Sequence, residues 1–279
     1  MGYADFIFNL PHISAVGVLT LFFLIFMRLA PIMAMVPFLG AKLAPAIARV
    51  GLAVFLSLVL LPFVAAKTNE SVSFNNAFLG YAFKEVLIGF VLGFILSIPF
   101  YTVQTSGIII DYLRGASIMQ AQDPSMQTQA SPIGILYNYI LIVIFLQIGG
   151  HFLLFDALLR SFDLVPANHY INPLFFSSGN PFWHIGVDIM NQIVTIGIQL
   201  ASPALVAILM AEMFLGIANR LAPQVQIAFL GMSIKSLLGL TLLWASWFFI
   251  LKQFNKHTYD WFELLNKVVY YMKFLVPQS

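Results

Sequence analysis

The chain contains no cysteine. Disulfides, thiolate nucleophiles and Cys-ligated metal sites are excluded, and nothing in it records the redox state of its compartment. Charge is almost as scarce, at 9% of residues, against about 25% in soluble domains. Thirteen Lys and Arg oppose eleven Asp and Glu, for a net charge of +2, too even a balance for a nucleic-acid binder. The five histidines, His12, His151, His169, His184 and His257, are scattered without metal-ligand spacing. There is no H-E-x-x-H, no G-x-S-x-G elbow and no phosphate-binding loop. Asp111 and Asp188 could be offered as paired membrane aspartates, but neither has a supporting motif. These absences argue against an enzyme and imply no metal and no cofactor. The N-terminal MGYADFIFNLPH has Asp5 and no basic residue, so it lacks a signal-peptide n-region and the first apolar run is expected to be retained.

What the chain has is apolar surface. Hydrophobic residues make up 61% and aromatics 15%, more than a soluble fold of 279 residues could hide. The expectation is an all-α, multi-pass integral membrane protein, a single membrane domain over residues 1–279. Ile13–Val36, Leu43–Ala66, Ile133–Phe155 and Ile227–Leu251 each have the length of a spanning helix. Ala77–Ile110 and Ile185–Gly216 are too long for one straight span, and each contains a proline, Pro99 or Pro203. Such a run either breaks into a hairpin at its proline or extends out of the bilayer into a protein assembly. Discontinuous helices around Pro99 and Pro203 would also suit a secondary transporter, although no internal repeat relates the two halves. Near the C-terminus, at about 256–275, Trp261, Leu265, Val268 and Met272 share one face of an amphipathic helix. Lys252, Lys256, Lys267 and Lys273 there favour a cytoplasmic C-terminus.

Arg28, Arg49, Lys84, Glu85, Asp188, Glu212 and Lys235 lie within or at the edges of apolar runs. A charge left in hydrocarbon costs at least ~2.5 kcal/mol, so these groups are expected to pair within the bundle, Glu212 with Lys235 or Arg220 for example. Gly89 and Gly93 form a G-x-x-x-G pattern, which lets helix backbones approach closely.

The most distinctive stretch is GIIIDYLRGASIMQAQDPSMQTQASPIG, from Gly107 to Gly134. Asp111 and Arg114 stand three apart and can pair at a helix end. Beyond them runs a polar loop rich in Gln, Ser and Met, set between two strongly apolar runs. Loops this long without their own secondary structure are uncommon and usually functional or disordered. Lipid could not satisfy the loop's backbone, so it rests against protein or lines a water-filled path.

The segment IDYLRGASIMQAQDP followed by SPIG resembles the inner-membrane export-apparatus subunit of type III secretion systems, the SctT/YscT/SpaR family, related to flagellar FliR. MRLAPIMAMVPFLG, the stretch from Gly149 to Pro166 and the stretch from Glu212 to Lys235 resemble the same family in the same order. The D-x-x-R-G-A-S run, Asp111 to Ser117, leans toward the injectisome branch, while Gly150-His151 has a flagellar flavour. The resemblance implies a non-catalytic export-gate subunit, built with R- and S-type small membrane subunits and the switch/autoprotease subunit, that passes unfolded secreted proteins. It implies the bacterial inner membrane, with the assembled gate raised toward the periplasm. It also implies that the loop Gly115–Ser131 plugs the pore, through Gly115, Ser117, Met119, Gln120, Gln122, Asp123, Pro124, Met126, Gln127 and Gln129.

Overall fold

Apolar runs bounded by Ser and Pro dictate where each helix starts and stops. The computed structural model describes residues 14–39, 44–68, 74, 76–115, 131–170, 172, 181–221 and 227–275. Among these, every regular element is helical: α1 (Ala15–Met35), α2 (Ala46–Lys67), α3 (Asn76–Leu113), α4 (Pro132–Gln147), α5 (Gly150–Leu164), α6 (Pro181–Leu221), α7 (Ile227–Ala245) and α8 (Trp247–Tyr271), with short 3-10 turns at Pro37–Leu39 and Met272–Leu275. The Ser14 hydroxyl caps α1 by accepting from the Gly17 amide. The helix ends at Val36, which is extended (φ −77°, ψ 120°) because Pro37 follows it.

The chain is a multi-pass membrane protein. Among the described residues, α1, α2, α3 and α6 are long and apolar enough to cross a membrane. Two bent pairs raise the number to six: α4 with α5, bent by 74°, and the α7–α8 pair, bent by 64°. The sequence read Ile133–Phe155 as a clean span and left the two overlong runs either to break at Pro99 and Pro203 or to extend out of the bilayer. The breaks fall elsewhere. Gly149, at φ +78°, ends α4 in a left-handed turn that side-chain-bearing residues avoid. The α7–α8 bend comes at Ser246. Pro99 and Pro203 lie inside uninterrupted helices of 38 and 41 residues. A proline removes one donor from the ladder, and neighbouring helices in a membrane bundle can accommodate that loss. The two long runs therefore extend through their prolines and form no hairpin there.

The chain divides into two compact units. Unit 1 comprises residues 1–98, 149–187 and 262–279; unit 2 comprises 99–148 and 188–261. In unit 1, α1 packs on α2, and Leu21, Leu24, Ile25 and Ile88 are among its fully buried side chains. Gly89 and Gly93 place α3 directly on the α1 backbone. A Cβ at Gly89 would overlap the Arg28 carbonyl, and one at Gly93 would lie 3.0 Å from Ile32 Cα. The G-x-x-x-G thus joins two helices of the same chain. Leu265, Val268 and Met272 are buried in this unit, so that face of the C-terminal helix packs on the chain itself.

In unit 2 the tightest approach is between α3 and α4. A Cβ at Gly107 would lie 2.5 Å from the Gly134 backbone. Asn138 Nδ2 donates to Gln104 Oε1 at 3.0 Å across the same contact. Phe100 meets Phe145, and Tyr137 meets Phe254, both edge to face.

Candidate functional site

Two polar constellations stand out against this apolar background, one in each unit. In unit 1, Arg28 of α1 and Lys84 and Glu85 of α3 are at most 1% exposed. The close approach of α1 and α3 at Gly89, one turn after Glu85, brings Arg28 and Glu85 together. Arg28 Nε donates to Glu85 Oε2 at 2.5 Å, and Nη2 donates to Oε1 at 2.9 Å. Nη1 donates to Ser161 Oγ at 3.0 Å and Nη2 also to the Val165 carbonyl at 2.8 Å. The guanidinium carbon lies 3.8 Å from the centre of the Phe162 ring. Lys84 Nζ sits 2.9 Å from Glu85 Oε1 and donates to the carbonyls of Pro166, at 2.6 Å, and Ala167, at 3.1 Å.

Two cations share one carboxylate here, and backbone carbonyls supply the rest of the compensation. Val165 is the C-cap of α5 and Pro166 and Ala167 follow it, where the helix dipole is negative and carbonyls lack helical partners. All three Lys84 donors are engaged. The cluster is closed, and it ties the C-terminal end of α5 to α1 and α3. Beside it lies a cleft of about 320 Å³ lined by Val64, Lys67, Phe162, Asp163 and Pro166 among others, with Lys67 and Asp163 paired at its rim.

The second constellation lies in unit 2, where α3 ends and α4 begins. Asp111 Oδ2 accepts from the Ser131 hydroxyl and, at 2.9 Å, from the Ile133 amide. Arg114 Nη2 is 2.6 Å from Asp111 Oδ1. Ser131 is also the N-cap of α4, accepting from the Gly134 amide at 2.9 Å. Pro132 at the first helical turn suits that cap. Gly115 takes the left-handed conformation (φ +88°) that commonly follows a helix C-terminus. One carboxylate therefore fastens the two chain ends that bracket residues 116–130.

Of the residues expected to plug the pore, Gly115 is the one the structure describes. Ser117, Met119, Gln120, Gln122, Asp123, Pro124, Met126, Gln127 and Gln129 lie outside the described residues. Asp111 and Arg114 come together as above, and Lys235 Nζ reaches Glu212 Oε1 at 2.5 Å. Arg220 is exposed in the last turn of α6. Sequence reasoning named Arg28, Lys84 and Glu85 without joining them. The usable signal was Gly89, one turn beyond Glu85, which marks where a second helix must press against α3. Among the described residues, no three His, Asp or Glu side chains are grouped to hold a metal ion.

The family model of bacterial export proteins, family 1, matches residues 19–260, which include both constellations. The chain belongs to this family. Over 164 residues it is 34% identical to the Yop proteins translocation protein T of Yersinia pestis, covering 57% of this chain and 60% of that protein. The match spans less than two thirds of that relative's length. The surface presentation of antigens protein SpaR of Salmonella typhimurium is 29% identical over 230 residues, with 82% of this chain and 81% of that protein aligned. The flagellar biosynthetic protein FliR of Bacillus subtilis is 27% identical over 223 residues, with 80% and 84% aligned. Helices α2 to α7 fall wholly inside the matched region, which begins within α1 and ends within α8.

Proposed function

We propose that this chain is a non-catalytic subunit of a type III protein secretion gate in the bacterial inner membrane. It works as one membrane domain beside R- and S-type small membrane subunits and the switch/autoprotease subunit. It helps to form the path taken by unfolded substrate proteins, in an assembly raised toward the periplasm. The Yersinia relative's name, a protein of Yop protein translocation, supports the protein-transport role.

The observation that carries the reading is the length of α3 and α6. At 1.5 Å per residue they extend about 57 and 62 Å, roughly twice a hydrocarbon core. α6 exposes Val187, Val194, Val206, Met213 and Leu221 along almost all of that length. Lipid can cover only part of such a surface, so neighbouring polypeptides must cover the rest.

The loop Gly115–Ser131 is the closure element in this reading. The Asp111 fastening at its root supports that role, because a plug must be held at its ends to return to its place. Its Ser, Gln and Met side chains offer weak, adaptable contacts, as a gate that passes many sequences requires. Deletion of residues 116–130 in the assembled apparatus is expected to make the membrane leak ions and small solutes. Unchanged permeability would remove the closure role. Purification in mild detergent tests the wider reading: the tagged chain should bring two other small membrane proteins with it. A chain that purifies alone and moves a solute unaided would overturn the gate.

A flagellar-type export gate is the second reading, supported by the FliR alignment over 80% of this chain and 84% of that protein. The partners recovered in the same purification separate the two.

A further inference from the structure

The outward face of α6 changes character at Pro203. Asp188, Asn191, Thr195, Gln199 and Ser202 follow one another at spacings of three, four, four and three residues. At 100° per residue they fall within an arc of about 80°. The first four are exposed and Ser202 is partly so. Ile189, Leu200, Ala204, Ile208 and Ala211, the buried residues of α6, centre on the opposite side of the helix. The polar stripe therefore points away from the buried face of α6. After Pro203 the same arc carries Val206, Met213 and Ile217, with Met210 at its edge, all exposed.

Hydrocarbon suits the second half of this face and not the first. A side-chain amide or carboxylate against lipid has no hydrogen-bond partner, and an ionised aspartate there costs about 2.5 kcal/mol or more. Thr195 and Ser202 partly satisfy themselves by donating to the carbonyls of Asn191 and Gln199. The amides of Asn191 and Gln199 and the carboxylate of Asp188 project from the same arc. The stripe rises about 21 Å and the apolar arc from Val206 to Ile217 about 17 Å more. Their sum exceeds the ~30 Å hydrocarbon layer, so only one of the two needs to face lipid.

Spacings of three and four that repeat over two heptads keep a seam in line along a helix–helix contact. Interhelical hydrogen bonds from Asn, Gln, Ser and Thr join helices in membrane assemblies. A second copy of this chain, parallel to the first, would set Asp188 against Asp188, a like-charge pair; an antiparallel copy would need the opposite membrane orientation. We propose that the Asp188–Ser202 stripe is the seam for a helix of a different membrane polypeptide. The facing side of that helix carries short hydrogen-bonding side chains, with a basic residue opposite Asp188. This deepens the gate reading and rests on it.

The absence of native cysteine makes the test clean. Thr195→Cys, Gln199→Cys and, as the lipid-facing control, Met213→Cys are each expressed with the complete secretion apparatus and, separately, alone. A membrane-impermeant maleimide is applied to intact membranes. In parallel, photo-reactive benzoylphenylalanine is placed at positions 199 and 213. The expected result is loss of maleimide labelling at 195 and 199 when the apparatus is present. Illumination at 199 should give an adduct whose cross-linked peptide maps to a membrane helix of another subunit, with no such adduct from 213. Labelling at 195 and 199 that persists in the assembled apparatus would make the stripe a water-lined wall and overturn the proposal. An adduct with a second copy of this chain would overturn it too. So would the absence of an adduct from 199 while the unsubstituted chain still co-purifies with its partners, and in that case the gate reading survives. If the unsubstituted chain recovers no membrane partner, both fall.

Discussion

Glu85 and Asp111 are carboxylates on the same helix, α3, and the two units use them differently. Glu85 is completely buried and accepts from Arg28 and Lys84. Asp111 stands at the helix end, retains slight exposure, and accepts from the Ser131 hydroxyl and the Ile133 amide beside its Arg114 pair. Glu85 holds distant helices together through charge that has nowhere else to go. Asp111 closes a short circuit between two chain ends that a long segment separates. The first is a lock inside a core, the second a fastening at an edge, and substitutions should separate them by magnitude.

The largest effect is expected at Glu85. Glu85→Ala leaves two cations buried beside one another with only carbonyls, the Ser161 hydroxyl and the Phe162 ring to compensate. Breaking a buried pair by removing one partner costs about 3–5 kcal/mol. The variant should fail to accumulate, or should unfold at much lower temperature in detergent, as fluorescence-detected size exclusion would read. Replacing all three charges, with Arg28→Met, Lys84→Leu and Glu85→Leu, should recover part of the loss, since apolar substitutes for a buried cluster are often neutral or better. Recovery stays partial because the carbonyls of Val165, Pro166 and Ala167 lose their donors. If Glu85→Ala is as stable as the parent, the cluster is not a lock.

Next come the glycine contacts. Gly89→Ala in unit 1 and Gly107→Ala in unit 2 each drive a methyl into backbone atoms. Overpacking of this kind costs about 1–3 kcal/mol. Gly216→Ala, on α6 with nothing within 4 Å, should instead stabilise by up to about 1 kcal/mol, the helix-propensity gain alone. Equal effects at the three positions, in detergent melting, would mean that the close approaches are not what fixes α3.

Asp111→Ala should cost less, about 1–2 kcal/mol, because the Ser131 hydroxyl and the Arg114 head lie near enough to the surface to find water. Its larger consequence is functional under the gate reading: the assembled membrane should leak, while the chain still accumulates. Glu85→Ala should show the reverse pattern, lost chain without a specific leak. That crossed outcome separates a lock from a fastening.

How far these features could be read in advance depends on their range along the chain. Multi-pass helical character follows from run length and composition, and Asp111 with Arg114 follows from a spacing of three. Gly89 and Gly93 announce a close helix contact without saying which helix arrives. The Arg28–Glu85 pair joins residues 57 apart, and no periodicity carries that information. The bends were misplaced for a physical reason. Proline marks a lost hydrogen bond, which a long bundled helix tolerates, whereas Gly149 supplies a left-handed residue that turns the chain outright. Residues 116–130 lie outside the described residues, and what the structure adds is the pair of anchored ends beside them.

The smallest effect is expected at Lys235. Its pair with Glu212 is partly open, with half of the Glu212 side chain exposed. Where water reaches such a pair, removing one partner changes stability by about 0–1 kcal/mol. Lys235→Ala should therefore leave the melting temperature in detergent nearly unchanged. The same substitution in lipid asks a sharper question. Glu212 lies beside Met213 and Phe214, both widely exposed, and if hydrocarbon covers that patch the stranded carboxylate costs about 2.5 kcal/mol or more. A variant that is stable in detergent and lost in membranes would place this part of α6 against lipid tails. One that is stable in both would place it against water or a polar neighbour, which would extend the covered length of the helix beyond Pro203.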